Sequence, residues 1–308
     1  VREISTAVLG VTEGNGHPFS FSAIVNGYDD HGMAAAGWAG IHDYLRRRDR
    51  SEFGLPPLRI THAWTQDQAL TAQLCAACRI PHAVADLATL PRAVEAVIIA
   101  RDDHERHWEL ARPFLEAGLP VFLDKPLSLD ATDVRRFRPY LEAGKLMTGS
   151  GLRFARELDE PRAELAAYGR LALVRGAVVL DWERYGVHMV EAILGLLPAR
   201  PVAVTAHRCD HASVAIELDD GCLALVDALG AVPKSFRIDL FGSGRNSTHE
   251  VADNFSMFRR MLWHFARMVE SGEPPIPPER TLDVVRVLIA GRMSRHERRR
   301  VTIDELGI

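Results

Sequence analysis

Lysine is the scarcest charge in this chain. Its 308 residues hold 37 lysines and arginines together, yet only Lys125, Lys145 and Lys234 are lysine. An ammonium that arginine has not replaced therefore calls for a local reason. Cysteine is scarce as well: Cys75 and Cys78 form a C-x-x-C pair inside an alanine-rich helical pattern, and Cys209 and Cys222, separated by twelve residues, make no matching pair. Thiols so arranged predict buried or half-buried free cysteines in a reducing cytosol and no metal site. His104 and His107 lie three apart, not four, which excludes the H-E-x-x-H zinc arrangement. A formal charge of −4 excludes the basic footprint of a nucleic-acid partner. There is no apolar run long enough to span a bilayer and no charged-then-apolar leader, so the expectation is a cytoplasmic protein with no membrane partner. Internal repeats and low-complexity tracts are missing too. The arginine runs 46–48 and 295–300 are expected to be solvated helix faces or ends.

What is present is enough apolar sequence, 47% of the chain, for two medium domains with proper cores. The predicted division is 1–150 and 151–308. In the first part, apolar runs at 5–10, 59–64, 81–85, 94–100, 121–123 and 146–148 alternate with helical patterns near 20–27, 67–77, 105–117 and 130–143. That alternation predicts a Rossmann-type doubly wound parallel sheet, an α/β domain. Asp67 is placed to cap the helix after the second strand. Residues 29–57 form a longer connection than a strand–helix unit needs, with short helical pieces such as 38–47, and connections of that length tend to be functional or mobile.

Ligands of such sheets bind beyond the C-terminal strand ends. Four such ends carry candidate residues. Gly10 opens the loop Val11-Thr12-Glu13-Gly14-Asn15-Gly16, whose backbone could approach a pyrophosphate, although the glycines miss the G-x-G-x-x-G spacing. Thr65 and Gln66 end the second strand where an acid usually meets the adenosine ribose, so the chain does not choose between NAD and NADP. Ala100-Arg101-Asp102 ends the fourth. Val121-Phe122-Leu123 runs into Asp124-Lys125-Pro126, where Pro126 turns the chain out of the sheet and the rare Lys125 stands at the exit. The candidate cofactor-binding residues are thus Gly10, Thr12, Gly14, Asn15, Gly16, Thr65, Gln66, Ala100, Arg101, Asp102, Asp124, Lys125 and Pro126.

Beyond residue 151 the pattern changes to strands in succession, at 171–179, 202–207, 213–218, 222–227 and 235–241, with Asp219-Asp220-Gly221 as a hairpin signal. Helices are expected near 157–168, 188–197, 258–270 and 281–295. This predicts an α+β domain, a mostly antiparallel open-faced sheet with helices on one side. Its other face predicts a homodimer or homotetramer through that sheet. Trp182 is a candidate core residue, and Asn254, Arg259 and His264 are candidates for contacts from the long C-terminal helix.

A Rossmann-type half, Asp124-Lys125-Pro126 after the fifth strand, and Tyr185-Gly186-Val187-His188 in the second half resemble the Gfo/Idh/MocA (glucose–fructose oxidoreductase / inositol dehydrogenase) family over essentially the whole chain. There the motifs are usually Glu-Lys-Pro and a Gly-Val-His preceded by an acid. The resemblance implies Lys125 and His188 as catalytic residues, and places His107 at a histidine of the cofactor segment. Arg184 stands where the family's acid would be, so Glu183 or Asp181 is expected to supply the carboxylate, or Tyr185 part of its role. Arg101-Asp102-Asp103 departs from the usual Thr-Pro-Asn, and the glycine loop is longer. The activity implied is NAD(P)-dependent interconversion of a secondary alcohol and a ketone on a sugar, nucleotide sugar or cyclitol. Two alternatives keep the fold: a redox-neutral epimerase, lyase or glycosidase with retained NAD, and a regulatory or binding protein without turnover.

Overall fold

A computed structural model describes residues 2–308. The chain folds as two compact units: 2–128, 135–148 and 258–276 form the first, and 129–134, 149–257 and 277–308 the second.

In the first unit, strand β1 (Ile4–Leu9) feeds helix α1 (His17–Asn26), followed by the short helices α2 (Asp30–Ala35) and α3 (Ala39–Arg46). Strand β2 (Leu58–Trp64), helix α4 (Gln68–Cys78), strands β3 (His82–Ala83) and β4 (Ala96–Ile99), helix α5 (His107–Glu116), strand β5 (Val121–Leu123), helix α6 (Ala131–Glu142) and strand β6 (Leu146–Thr148) complete the alternation. All pairings are parallel, in the order β3-β2-β1-β4-β5-β6, the doubly wound arrangement expected. The central strands β4 and β5 are buried at every position, which is why they read as unbroken apolar runs. Helix α1 starts three residues earlier than the apolar periodicity suggests. Pro18 is the missed signal, since a proline at the first helical positions gives up only an N–H that would have no partner. Asp67 caps α4 as expected, accepting from the Ala69 and Leu70 N–H groups.

The second unit begins with 3-10 turns and helix α7 (Asp159–Ala163), then strand β7 (Leu171–Val178), helix α8 (Val187–Leu196), and strands β8 (Pro201–His207), β9 (Ala212–Leu218), β10 (Leu223–Ala228), β11 (Phe236–Gly242) and β12 (Asn246–Glu250). Helix α9 (Asn254–Ser271) is shared by the two units, while α10 (Pro278–Glu297) and strand β13 (Val301–Thr302) return to the second. The sheet order is β12-β11-β7-β10-β9-β8-β13, with only β7 and β10 parallel. Gly176 lets α8 lie close on the sheet, because a Cβ there would stand 3.0 Å from Met189 Sδ. The opposite face is mixed: Phe241, Leu173 and Leu223 align across three strands, while Arg175 pairs with Asp227 and Arg237 with Asp239.

The expected boundary at 150/151 differs from the units chiefly at two places: 129–134 go with the second unit, and α9 from Phe258 onward, with the chain to 276, goes with the first. Its apolar stripe sets Phe258 against Phe21 and Phe265 against Phe122, with ring centroids 5.3 and 5.8 Å apart. Burying two phenylalanines contributes roughly 1.5–3 kcal/mol each to holding the helix there. All four cysteines are free, but Cys209 is exposed, contrary to expectation, since it lies in the loop between β8 and β9. Burial pushes the Cys75 thiol up to about 11 and Cys78 further, so neither is a ready ligand or nucleophile. Among the described residues no helix is long and apolar enough to cross a membrane.

Candidate functional site

At the end of β1 the chain turns through Gly10, whose φ of +78° suits glycine, and the stem of Arg101 lies directly over it. A Cβ on Gly10 would stand 2.3 Å from Arg101 Cδ. Arg101 is held there by its ion pair with Asp103. The loop beyond Gly10 is tied at both ends. Gln66 grips Val11 twice, donating to its carbonyl (2.6 Å) and accepting its N–H (3.1 Å). Asn15 N–H donates to Thr12 O (3.0 Å), and Asn15 Oδ1 accepts the His17 N–H at the mouth of α1 (2.9 Å). Gly14 also has positive φ, whereas Gly16 serves packing: a Cβ there would meet Ile41 at 2.4 Å and Trp38 at 2.7 Å.

Two carboxylates and one ammonium meet at this end of the sheet. Lys125 is 5% exposed, and its Nζ lies 3.4 Å from Asp102 Oδ2, while Thr12 donates to Asp102 Oδ1. Asp124 is fully buried and receives Asn15 Nδ2 (3.0 Å), His17 Nδ1 (2.6 Å) and the Lys125 N–H (2.9 Å). Burial alone would raise the Asp124 carboxyl. The charges of His17 and Lys125, with the bonds from His17 and Asn15, outweigh it and hold the group well below the usual carboxylate range. Asp102 is lowered in the same way: burial opposes, and Lys125 and Thr12 prevail. His17 escaped the sequence reading. Its ring stacks on Phe21 at 4.8 Å and fixes the side of Asp124 away from Lys125's backbone. The available signal was a histidine immediately after the last glycine of the loop.

The remaining candidates of this unit are structural neighbours of the cluster. Ala100 continues β4 with its N–H on Leu9 O (2.9 Å), and Pro126 is buried after a cis Lys125–Pro126 bond. Thr65 is buried with its hydroxyl on Asp67 O (2.6 Å) and Thr71 (2.8 Å), so it builds the turn after β2 and offers no free hydroxyl. His107 sits beside the cluster with both ring nitrogens engaged by backbone carbonyls. It is completely buried, with Nδ1 on Leu127 O (3.0 Å) and Nε2 on Arg101 O (2.8 Å). It acts on the site by joining the segments that carry Arg101 and Lys125.

In the second unit, one π-helical turn (Trp182–Gly186) runs straight into α8. Its cause is Trp182, 1% exposed and hydrogen-bonded to Leu288 O (3.3 Å). The indole lies across Gly186 and Gly291, where added Cβ atoms would come within 2.7 and 2.5 Å of the ring. Gly186 of the Gly-Val-His motif is thus where the tryptophan fits. The turn sets Tyr185 and His188 edge to face at 5.3 Å, with Phe236 beside both at 6.4 and 5.9 Å. His188 Nδ1 lies 2.7 Å from Ser150 Oγ, which also accepts the Leu152 N–H (3.2 Å). Lys234 lies over the Phe236 ring at 5.5 Å. Ser150 and Phe236 were not foreseen, because nothing local marks them as partners of a histidine 38 or more residues away.

The expected replacement carboxylates are engaged elsewhere. Asp181 caps the π-helical turn through the Arg184 N–H (2.8 Å), and Glu183 is exposed and paired with Arg295. The buried carboxylate one turn beyond His188 is Glu191. Burial raises its pKa even though Arg153 pairs with it and pulls the other way.

Residues 32–148 match the family model described as oxidoreductase family, NAD-binding Rossmann fold. The match begins after the glycine loop. Solved structures share the fold along nearly the whole chain at low identity. The scyllo-inositol dehydrogenase from Lactobacillus casei, with bound cofactor NAD(H) and scyllo-inositol, is 12% identical at a TM-score of 0.76, covering 98% of this chain and all (100%) of its own. A putative myo-inositol dehydrogenase from Sinorhizobium meliloti 1021 is 17% identical (TM-score 0.77, 98% and 100% covered). The myo-inositol 2-dehydrogenase from Lactobacillus plantarum is 13% identical (TM-score 0.78, 98% and 99% covered).

Proposed function

We propose, from the premise that residues 32–148 belong to the NAD-binding Rossmann domain of the Gfo/Idh/MocA oxidoreductase family, that the chain interconverts a secondary alcohol and a ketone on a sugar, nucleotide sugar or cyclitol with NAD or NADP. The observation that carries it is the buried Lys125 ammonium beside Asp102 at the end of the parallel sheet. Inositol dehydrogenases among the structural neighbours favour a cyclitol.

The residues present fit a dinucleotide: Gly10 and Gly14 have the positive φ that close backbone approach needs, and α1 opens directly after Gly16. The loop 10–16 would hold the pyrophosphate, and 100–102 with 124–126 the nicotinamide half. When bound, the cofactor supplies the hydride acceptor or donor. Lys125 offers a positive charge to the alkoxide that develops on the carbinol oxygen. His188 takes or returns the hydroxyl proton, and the rings of Tyr185 and Phe236 fix the imidazole plane.

A second reading has a specific observation behind it. Arg184 stands at the motif's acid position, Asp181 caps the π-helical turn and Glu183 pairs with Arg295, a departure that favours a redox-neutral member with retained NAD. Titration with NADH and NADPH followed by nicotinamide fluorescence, then a screen of cyclitols and sugars for net reduction of NAD(P), separates the readings. Saturable binding with turnover supports the first, and binding without net turnover supports the second. No binding of either nucleotide below about 1 mM removes both and leaves a binding protein.

The same proposal includes a homodimer or homotetramer through the mixed face of the second sheet, where Phe241, Leu173 and Leu223 form an apolar row and Leu223 and Phe241 are exposed. Sedimentation is expected to show an oligomer that Phe241→Arg weakens. A wild-type monomer at micromolar concentration would remove this part.

A further inference from the structure

The long connection after α1 packs under Gly16 through Trp38 and Ile41, and its remaining residues take no part in the site above. It wraps α2, α3 and the 3-10 turn Arg50–Glu52 around a cavity of about 690 Å3. The lining comes from residues just beyond α1, from Arg79 at the end of α4 and from Arg59 near the start of β2. Helices of this sheet run back from the strand ends, so the cavity opens at the edge opposite Gly10, Thr65 and Lys125.

Buried hydrogen bonds fix its walls. Asn26, 9% exposed, donates to Ile60 O (2.8 Å) and Cys78 O (3.3 Å) and accepts the Ile60 N–H (3.0 Å). Gly54 N–H donates to Ile24 O (3.0 Å), and Arg259 reaches Glu52 O (3.0 Å) and Gly54 O (3.4 Å). The charges within this frame do not balance. Asp29 is used as the cap of α2, Asp30 holds His42 and Arg46, and Arg48 pairs with Glu52. Arg50, Arg59 and Arg79 line the cavity with no carboxylate partner among the described residues. A helix C-terminus explains one cation at Arg79, but not Arg59 in a strand or Arg50 in the 3-10 turn. Tyr28 and Phe53, their rings 5.4 Å apart, add an aromatic wall.

We propose that this cavity binds a phosphorylated small molecule of nucleotide size, its phosphates held by Arg50, Arg59 and Arg79 and its remainder set against Tyr28 and Phe53. Planar guanidinium forks match phosphate oxygens two at a time, and a cavity of this volume suits such a ligand. The test is calorimetric titration of the full chain with pyrophosphate and with ATP. The comparison is Arg59→Gln/Arg79→Gln against Arg47→Gln, an exposed arginine outside the cavity. Saturable binding with Kd of about 1 mM or tighter is expected, weakened roughly tenfold or more by the double substitution and unchanged in Arg47→Gln. NADH binding, measured by fluorescence, is expected to be the same in all three proteins, which separates this cavity from the nicotinamide site. Should the double variant fold poorly, the single Arg50→Gln carries the comparison. No saturable binding of either probe below about 10 mM overturns the proposal. So does binding that survives the substitutions, or that falls equally in Arg47→Gln.

Discussion

Lys125→Ala is expected to lower turnover by ~10² or more while NADH binding stays within about threefold of wild type. The ammonium is almost wholly buried and is the cation beside Asp102, so alanine leaves a half-buried carboxylate without its charge partner. The Asp102 carboxyl then rises from its lowered value, since burial, which already opposes ionisation, is no longer outweighed. Leaving the carboxylate without that partner costs about 1–3 kcal/mol of stability, at the lower end because Thr12 still donates to Asp102. A fall in turnover caused only by loosened structure would appear equally in Asp102→Asn, which removes the pair but keeps the ammonium. The proposed role predicts that Asp102→Asn retains far more activity than Lys125→Ala. Lys125→Arg is a third comparison: it restores the charge but, always protonated, cannot relay a proton. Equal turnover in wild type and Lys125→Ala, with both folded, would remove the assignment.

Much of each unit is legible in the amino-acid order, because its cause is local. Unbroken apolar runs mark β4 and β5, Asp67 announces the start of α4, and Asp219-Asp220-Gly221 marks the turn between β9 and β10. Other features have no local cause and leave no local trace. β12, Asn-Ser-Thr-His-Glu, is an edge strand with no apolar face, so it lacks the alternation that identifies a half-buried strand. The transfer of α9 to the first unit depends on Phe258 and Phe265 finding Phe21 and Phe122, more than 130 residues away. His17 and Asp124 are 107 residues apart, and only the fold puts 2.6 Å between them.

Arg184 is the instructive case. In the sequence it reads as a missing acid, and the nearby carboxylates Glu183 and Asp181 offer themselves as replacements. In three dimensions the segment is governed by Trp182, whose ring needs Gly186 and Gly291, and by Asp181, whose carboxylate caps the π-helical turn. Glu183 is carried outward to Arg295. Spacing along the chain predicts a side chain's direction only in a regular helix or strand, and a π-helical turn breaks that rule. What the turn does deliver is His188 against Ser150.

That contact sets the second large effect: His188→Ala is expected to lower turnover by ~10² or more, and Ser150→Ala by roughly tenfold. A hydroxyl has one hydrogen and two lone pairs. The Leu152 N–H occupies one lone pair of Ser150 Oγ, leaving the hydrogen free to go to Nδ1 of the neutral ring, or the other lone pair free to accept from the charged ring. Ser150 therefore serves both protonation states of His188 and favours neither as strongly as a carboxylate would. Ser150→Asp is accordingly expected to stabilise the imidazolium and move the histidine-controlled limb of the pH–rate profile to higher pH, because a neighbouring negative charge raises a histidine pKa. If Ser150 served only to cap the 3-10 turn at Leu152, Ser150→Ala would lower the thermal midpoint and leave the profile where it was, and Ser150→Asp, itself a good cap, would behave as wild type. If His188→Ala turned over at the wild-type rate across the profile, the proton would have to be carried by another group, with Tyr185 at 5.3 Å the next to test.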